Sequence, residues 1–364
     1  MEDILIKSKK TLKRGWTTGA CALAATQAAY TALLSGKFPD PVKISLPQGE
    51  TPSFPLALEK LSGGVAKAGI IKDAGDDPDV THGVLVIAAV RMIKEKEIKF
   101  LGGQGVGKVS LPGLPLPVGE PAINPKPREM IRSAIRKLAD HYSHSGGVEV
   151  KIAIPGGELL AEKTWNSRLG ITGGLSILGT TGVVRPFSCA AWIHSIHRGI
   201  DVARANGLQH IAGSTGKTSE AAVKEIYDLP AHALVDMGDF AGGMLKYLRR
   251  NPVSRVTIAG GFAKVTKLAQ GFLDLHSGRS HVDFDWLASS VDALGANSDL
   301  IDNVHNAKSA GHVLQLSQSH DIEIGNWVAS RAAETALRVL ADSPIKLDVR
   351  VFDRGGALVG RSNS

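Results

Sequence analysis

LQHIAGSTGKTSEAAVKEIYDLPAHALVDMGDFAGGMLKYLRRNPVSRVTIAG, Leu208 to Gly260, decides the fold, because strand-like and helix-like stretches alternate through it without interruption. Leu208 to Gly213 reads as a strand, and GSTGKTSE turns the chain into a helix that runs to Tyr227. Ala231 to Met237 reads as a second strand, Phe240 to Arg250 as a helix and Val253 to Gly260 as a third strand. This alternation predicts a doubly wound βαβαβ unit. In such folds ligands bind beyond the carboxyl ends of the strands. There the segment offers Gly213 to Lys217, Asp236 to Asp239 and Gly260 to Lys264.

GSTGKT resembles a phosphate-binding loop, but only two residues separate Gly213 from Gly216 where the Walker pattern needs four. The spacing argues against a nucleoside-triphosphate hydrolase. The loop still suits the carboxylate of a nucleoside cofactor, which glycine backbone and a helix N-terminus can hold. Asp236, twenty residues past Gly216, ends the next strand where an acid commonly meets ribose hydroxyls. Gly213, Ser214, Thr215, Gly216, Asp236, Gly238, Gly260 and Gly261 are therefore the candidate cofactor contacts. The competing reading is an ordinary strand-to-helix turn.

Upstream, Thr17, Thr18 and Gly19 precede an Ala-rich helix from Ala20 to Leu34 that Gly36 closes, and its N-terminus is a candidate anion site. Strand-like runs follow at Val42 to Leu46 and Gly83 to Val90. Gly102 to Pro127 is a long Gly/Pro-rich segment before a helix around Arg128 to His141, and a strand is expected at Val148 to Ile154. GGQGVGK, Gly102 to Lys108, does not fit G-x-G-x-x-G and follows no clear strand. No repeat of solenoid length is present.

KDAGDDPDVTHG, Lys72 to Gly83, packs four aspartates and a histidine beside an apolar run. Three readings stand: a solvated turn, a divalent-cation site, or contact with a polar substrate. His82 beside a strand is either a structural hydrogen-bonder or a base. Thr17 and Thr18 read equally as helix caps, and Thr180 and Thr181 as turn formers.

The 364 residues suggest two domains, and 43% apolar, 21% charged residues with 41 glycines describe a globular α/β protein. A formal charge of +7 and a pI near 9.3 point to an anionic partner. With 5% aromatic residues and no long basic run, stacking platforms for nucleic acid are missing, so the expected partner is an acidic small ligand. Cys21 and Cys189 alone exclude a disulfide framework and a Cys-rich zinc motif. MEDILIKSKK lacks an apolar export core, and no apolar run reaches membrane-spanning length, so a soluble cytoplasmic protein without a membrane partner is expected. Whether copies associate as a homo-oligomer is left open.

Taken together, RGWTTGACALAA (Arg14 to Ala25), KDAGDDPDVTHG, GQGVGKVSLPGLPLPVGEPAINPKPREMI (Gly103 to Ile131) and GGLSILGTTGVVRPFS (Gly173 to Ser188) closely resemble the cobalt-precorrin-5B C1-methyltransferase family of the anaerobic vitamin B12 pathway. The resemblance runs in order along nearly the whole chain and loosens after residue 190, where GGFAKVTKLAQG, Gly260 to Gly271, is similar to the family's glycine-lysine segment. It implies an α+β domain over 1–185, similar to the second domain of ribosomal protein S5, that binds substrate. It further implies a Rossmann-like α/β domain over 186–364 that binds S-adenosylmethionine, with a last strand near 345–352 free to pack elsewhere. The implied reaction methylates C1 of a cobalt-containing contracted macrocycle, giving cobalt-precorrin-6A, and the cobalt arrives inside the substrate rather than in a protein metal site.

On that reading Asp76, Asp77 and His82 are the catalytic candidates. Arg14, Thr17, Thr18, Lys72, Asp73, Asp79, Lys108, Thr180, Thr181 and Arg185 are the substrate-binding candidates, the cations facing the macrocycle's carboxylates. Methyl transfer from a sulfonium needs in-line placement more than acid or base help. A carboxylate at the sulfur would favour the ground state, so the aspartates are expected to orient the macrocycle or take up its proton. The rivals are a non-catalytic tetrapyrrole- or nucleotide-binding protein and a P-loop-like phosphotransferase.

Overall fold

The computed structural model describes residues 12–362 and divides into two compact units, Met1–Ser188 and Cys189–Ser364. The N-terminal stretch read above for an export signal lies outside the described residues.

The first unit is built on a five-stranded sheet in the order Leu58–Ser62, Val65–Ile71, Leu85–Ile93, Gly147–Ala153, Ile98–Gly102. All neighbours run antiparallel except the last pair. Strand alternation sorts the side chains: Ala66, Ala68 and Ile70 pair in register with Val90, Ala88 and Val86, and all six are buried. Ala88 and Val90 pair onward with Ile152 and Val150, which extends the apolar face. The opposite face carries charge, including an Arg91–Glu149 pair at 2.6 Å between facing residues.

The Ala-rich helix Thr18–Ser35 and the helix Pro125–His141 share one core with the apolar face, from Ala20 and Ala28 to Ile131 and Ile135. Alanines let the first helix approach the strands closely, and it is buried nearly all round. Thr17 caps it, its Oγ1 accepting from the Ala20 N–H at 3.1 Å, and Gly36 ends it at φ 75°. Of the strand expected at Val42 to Leu46, only Val42–Lys43 forms, and Gly102 to Pro127 is held largely by loop hydrogen bonds.

The second unit has the sheet order Leu234–Asp236, His210–Ser214, Arg255–Gly261, Lys346–Phe352, Leu358–Arg361. The first four strands are parallel and the fifth antiparallel. The strand near 345–352 thus joins the main sheet, pairing with Arg255–Gly261 over its whole length. Helices Cys189–Ala205, Ala241–Arg250, Phe262–Ala269 and Ile324–Leu340 share a core with Ile211, Val256, Ile258 and Val349. The helix Lys217–Tyr227 contributes Val223 to a separate cluster with Ala212, Ala259 and Phe352. Helices thus cover both faces of the sheet. In chain order the parallel strands lie 2-1-3-4, so a topological switch point falls between His210–Ser214 and Arg255–Gly261.

Between Phe262 and Leu340 lie five helices that no strand interrupts, three of them capped by the side chains of Asp283, Asn297 and Ser309. Gly325 at the start of the last helix abuts Gly360 of the edge strand backbone to backbone, and a Cβ on Gly325 would stand 1.8 Å from the Val359 carbonyl oxygen. Gly325→Ala is expected to cost roughly 1–3 kcal/mol of stability, read by urea unfolding. An unchanged midpoint would mean that this contact is not formed.

Candidate functional site

Three of the four motif segments converge in the first unit through backbone hydrogen bonds, and the fourth is knitted to them. Gly15–Trp16 pairs antiparallel with Val183–Val184, and the Trp16 N–H donates to the Asp73 carbonyl at 2.7 Å. The Thr17 N–H donates to Gly182, and the Gly19 N–H to Leu178. Gly107 donates to Leu175, and Ile177 donates to Ala122, which binds Gly103–Ile131 to Gly173–Ser188. Glycine permits these crossings: a Cβ on Gly15 would stand 2.0 Å from the Ala74 carbonyl carbon, and one on Gly179 would stand 2.3 Å from Thr17 Oγ1.

The aspartates are all engaged. Lys72, 1% exposed, donates its ammonium to Asp79 Oδ2 at 2.7 Å. The other oxygen of Asp79 accepts from the N–H and the hydroxyl of Thr81 at 2.7 and 2.6 Å. Asp73 accepts from Lys13 Nζ and the Gly75 N–H, Asp76 from the Lys13 N–H, and Asp77 from the Phe187 N–H. His82 Nδ1 accepts from the Ala74 N–H at 3.1 Å, so the neutral ring carries its proton on Nε2, and the side chain is exposed.

Burial pushes the Asp79 carboxyl up, but the hydrogen bonds from Lys72 and Thr81 outweigh it and hold the group below the usual carboxylate range. Asp73 is lowered chiefly by the Lys13 hydrogen bond and then by the Gly75 N–H. Burial pushes the Cys21 thiol up to about 12, against the opposing field of Lys72.

These contacts redistribute the roles expected from sequence. Lys72 and Asp79 neutralise each other under the loop and shape it. Thr17 caps the first helix, Thr18 Oγ1 accepts from the Leu178 N–H at 3.0 Å, and Thr181 Oγ1 accepts from the Val183 N–H. The Gly19 and Ala20 amides of that helix donate to Leu178 and to the Thr17 hydroxyl. Arg14, Lys108, Thr180 and Arg185 are exposed, Lys108 on a short strand paired with Ile171–Thr172. Among the described residues, no three His, Cys, Asp or Glu side chains converge as a metal ion requires.

In the second unit, Ser214 stands in register with both Asp236 and Ala259 at the carboxyl edge. Gly213 and Gly260 are packing positions, since a Cβ would strike Met244 Sδ at 2.3 Å and Val265 Cγ2 at 2.8 Å respectively. Gly216 and Gly261 instead precede helices and border open space. Gly238 takes φ 51° beneath the Trp192 ring, whose Nε1–H donates to the Asp236 carbonyl at 3.1 Å. Two groups gain a specific place. Lys264 Nζ donates to the Thr215 carbonyl at 3.0 Å and pairs with Asp239 at 3.0 Å, which joins the loops after all three strands. Ser214 Oγ is buried and has no hydrogen-bond partner among the described residues.

Sequence reasoning missed a buried network at the other end of the same strands. Asp348, 0% exposed, accepts from Tyr227 at 2.6 Å and Thr257 at 2.8 Å and pairs with Arg255 and Arg350. Only the apolar setting of a lone aspartate in KLDVRVF signals it.

By sequence, this two-unit α/β chain falls in a known class of biosynthetic protein. The CbiD family pattern covers residues 5–186, and that of the CbiD C-terminal domain covers 274–363. The chain is 60% identical over 96% of its length to the cobalt-precorrin-5B C(1)-methyltransferase of Bradyrhizobium sp. strain BTAi1, covering 93% of that protein. It is 56% identical to the protein of that name from Agrobacterium fabrum, over 98% of this chain and 94% of the relative. A crystal structure of the cobalamin biosynthesis protein (cbiD) from Archaeoglobus fulgidus is 28% identical, with a TM-score of 0.38 over 69% of this chain and 77% of that one. The chain belongs to the cobalt-precorrin-5B C(1)-methyltransferase (CbiD) family.

Asp79→Ala strands a buried ammonium and is expected to cost about 3–5 kcal/mol, and adding Lys72→Met recovers most of it. Urea unfolding decides the matter, and a loss under about 1 kcal/mol would contradict the pairing. The stability that the lowered carboxyls of Asp73 and Asp79 contribute is full above their unfolded value near pH ~4 and disappears as pH falls through the folded values. In the folded protein at pH ~8 maleimide is expected to label the half-buried Cys189 and to spare Cys21.

Proposed function

We propose that the protein transfers a methyl group from S-adenosylmethionine to C1 of cobalt-precorrin-5B, giving cobalt-precorrin-6A in anaerobic cobalamin biosynthesis. The observation that carries this reading is the near full-length 60% identity to a cobalt-precorrin-5B C(1)-methyltransferase. The knitted loops of the first unit support macrocycle binding there, on a scaffold we take as similar to the second domain of ribosomal protein S5. The 2-1-3-4 sheet supports a Rossmann-like role for the second unit.

We assign a nucleoside with an amino-acid tail to the second unit's carboxyl edge. Gly216 and Gly261 leave backbone at two helix N-termini next to open space, and the orphaned Ser214 hydroxyl lies at the same edge. Asp236 ends the strand where a ribose is expected, and Lys264 holds the three loops in one arrangement. When bound, the cosubstrate supplies an electrophilic methyl on a positive sulfur.

In the first unit the chain's task is to orient the ring. Thr17, Thr18, Lys72 and Asp79 fix the loops, Arg14, Lys108 and Arg185 offer exposed cations to carboxylates, and Thr180 offers a hydroxyl. Asp76 and His82 are the exposed groups of the cluster and are assigned to receive a ring proton, Asp76 through the oxygen that the Lys13 N–H does not use, while the less exposed Asp77 holds the Phe187 N–H. The aspartates so placed are not assigned to the sulfonium, where a carboxylate would stabilise the ground state. The cobalt enters as part of the substrate.

Incubation with both reactants is expected to add one methyl to the ring, read by mass spectrometry. Gly261→Val is expected to raise the apparent KM for S-adenosylmethionine about 10-fold while leaving that for the macrocycle within about 2-fold. Calorimetry separates the carrier alternative: tight macrocycle binding with no heat from the sulfonium donor, and no methylated product, would overturn the proposal.

A further inference from the structure

The short ribbon between the first and last motif segments carries three features that oppose its own stability. Gly15 faces Val184 in antiparallel register, so Arg14 and Arg185 are the residues that flank this end of the ribbon. Both are exposed, and among the described residues neither guanidinium has a carboxylate within 4.0 Å. Two cations flanking one end of a ribbon repel. The neighbouring aspartates do not relieve them, being committed to Lys13, Lys72, Thr81 and backbone amides.

Two residues past Arg185, Phe187 sits at φ 56°, a region that a bulky side chain adopts only under constraint. The constraint is visible: its N–H donates to Asp77 Oδ1 at 2.9 Å. Its ring gains little in return, for it is 66% exposed. An apolar ring in water and two neighbouring cations are both satisfied by one kind of ligand, a flat apolar ring rimmed with carboxylates, and the strained backbone holds the ring out where such a ligand meets it.

We propose that Arg14, Arg185 and Phe187 form a recognition edge for the macrocycle, the guanidiniums forking onto its peripheral carboxylates and the phenyl ring lying against its face. Asp77 is then a positioning residue that holds Phe187 in its strained pose. The inference rests on the first unit being the macrocycle's site.

Binding of cobalt-precorrin-5B to the full-length protein, followed by its visible absorption, tests it. Phe187→Gly is expected to weaken binding about 10-fold while the unfolding midpoint holds or rises, because glycine adopts positive φ freely. Phe187→Tyr keeps wild-type affinity. Arg14→Met with Arg185→Met is expected to weaken binding about 100-fold and to flatten its salt dependence, with S-adenosylhomocysteine affinity unchanged throughout. Wild-type affinity in both the glycine and the double-methionine variants would overturn the edge while leaving the site reading intact. A midpoint lost in Phe187→Gly and restored in Phe187→Tyr would assign Phe187 to packing and overturn its part. Absence of macrocycle binding by the wild-type protein would overturn the site reading and the edge with it.

Discussion

Lys72 is a long cationic side chain sealed from solvent beneath a loop of four aspartates, and a buried ammonium persists there because Asp79 meets it at 2.7 Å. Desolvating two charges is expensive, so the pair adds little net stability over an apolar substitute. Its effect is conformational. With Asp79 drawn down to Lys72 and turned back onto Thr81, the rest of the loop rises where Asp73, Asp76 and Asp77 reach the segments on either side. Carboxylates that look from sequence like a reactive cluster act mainly as hydrogen-bond acceptors that fasten three distant segments into one surface.

A comparable division of labour holds in the second unit. Gly213 and Gly260 are required by packing, whereas Gly216 and Gly261 leave the strand ends open. Lys264 draws the three carboxyl-edge loops together, and the Asp348 network fastens the opposite end of the sheet. An edge held this firmly can present backbone amides to a ligand without paying to order them first.

The alternation through Leu208–Gly260 was legible because buried parallel strands are apolar throughout and their helices have clear limits, and the elements form within a few residues of expectation. The first sheet was half legible. Leu85–Ile93 and Gly147–Ala153 announce themselves, but Leu58–Ser62 is a largely exposed edge strand whose LEKLS carries no strand-like pattern. The motif residues of the first unit stand out in the sequence as a group, since chemistry-bearing types crowd there. What each one touches was not legible: Lys72 and Arg14 are both cations in sequence, and only the fold buries one and exposes the other. Phe187 escaped notice because a strained φ has no signature in residue type.

The central claim is that ring and cosubstrate are held by different units, the first by its fastened loops and the second at its strand ends. Amide hydrogen exchange with and without S-adenosylhomocysteine tests it most directly. Protection gathered at 213–217, 236–240 and 259–264, with 72–83 and 176–187 unchanged, is the predicted result. Protection of the aspartate loop with none at the strand ends would contradict it.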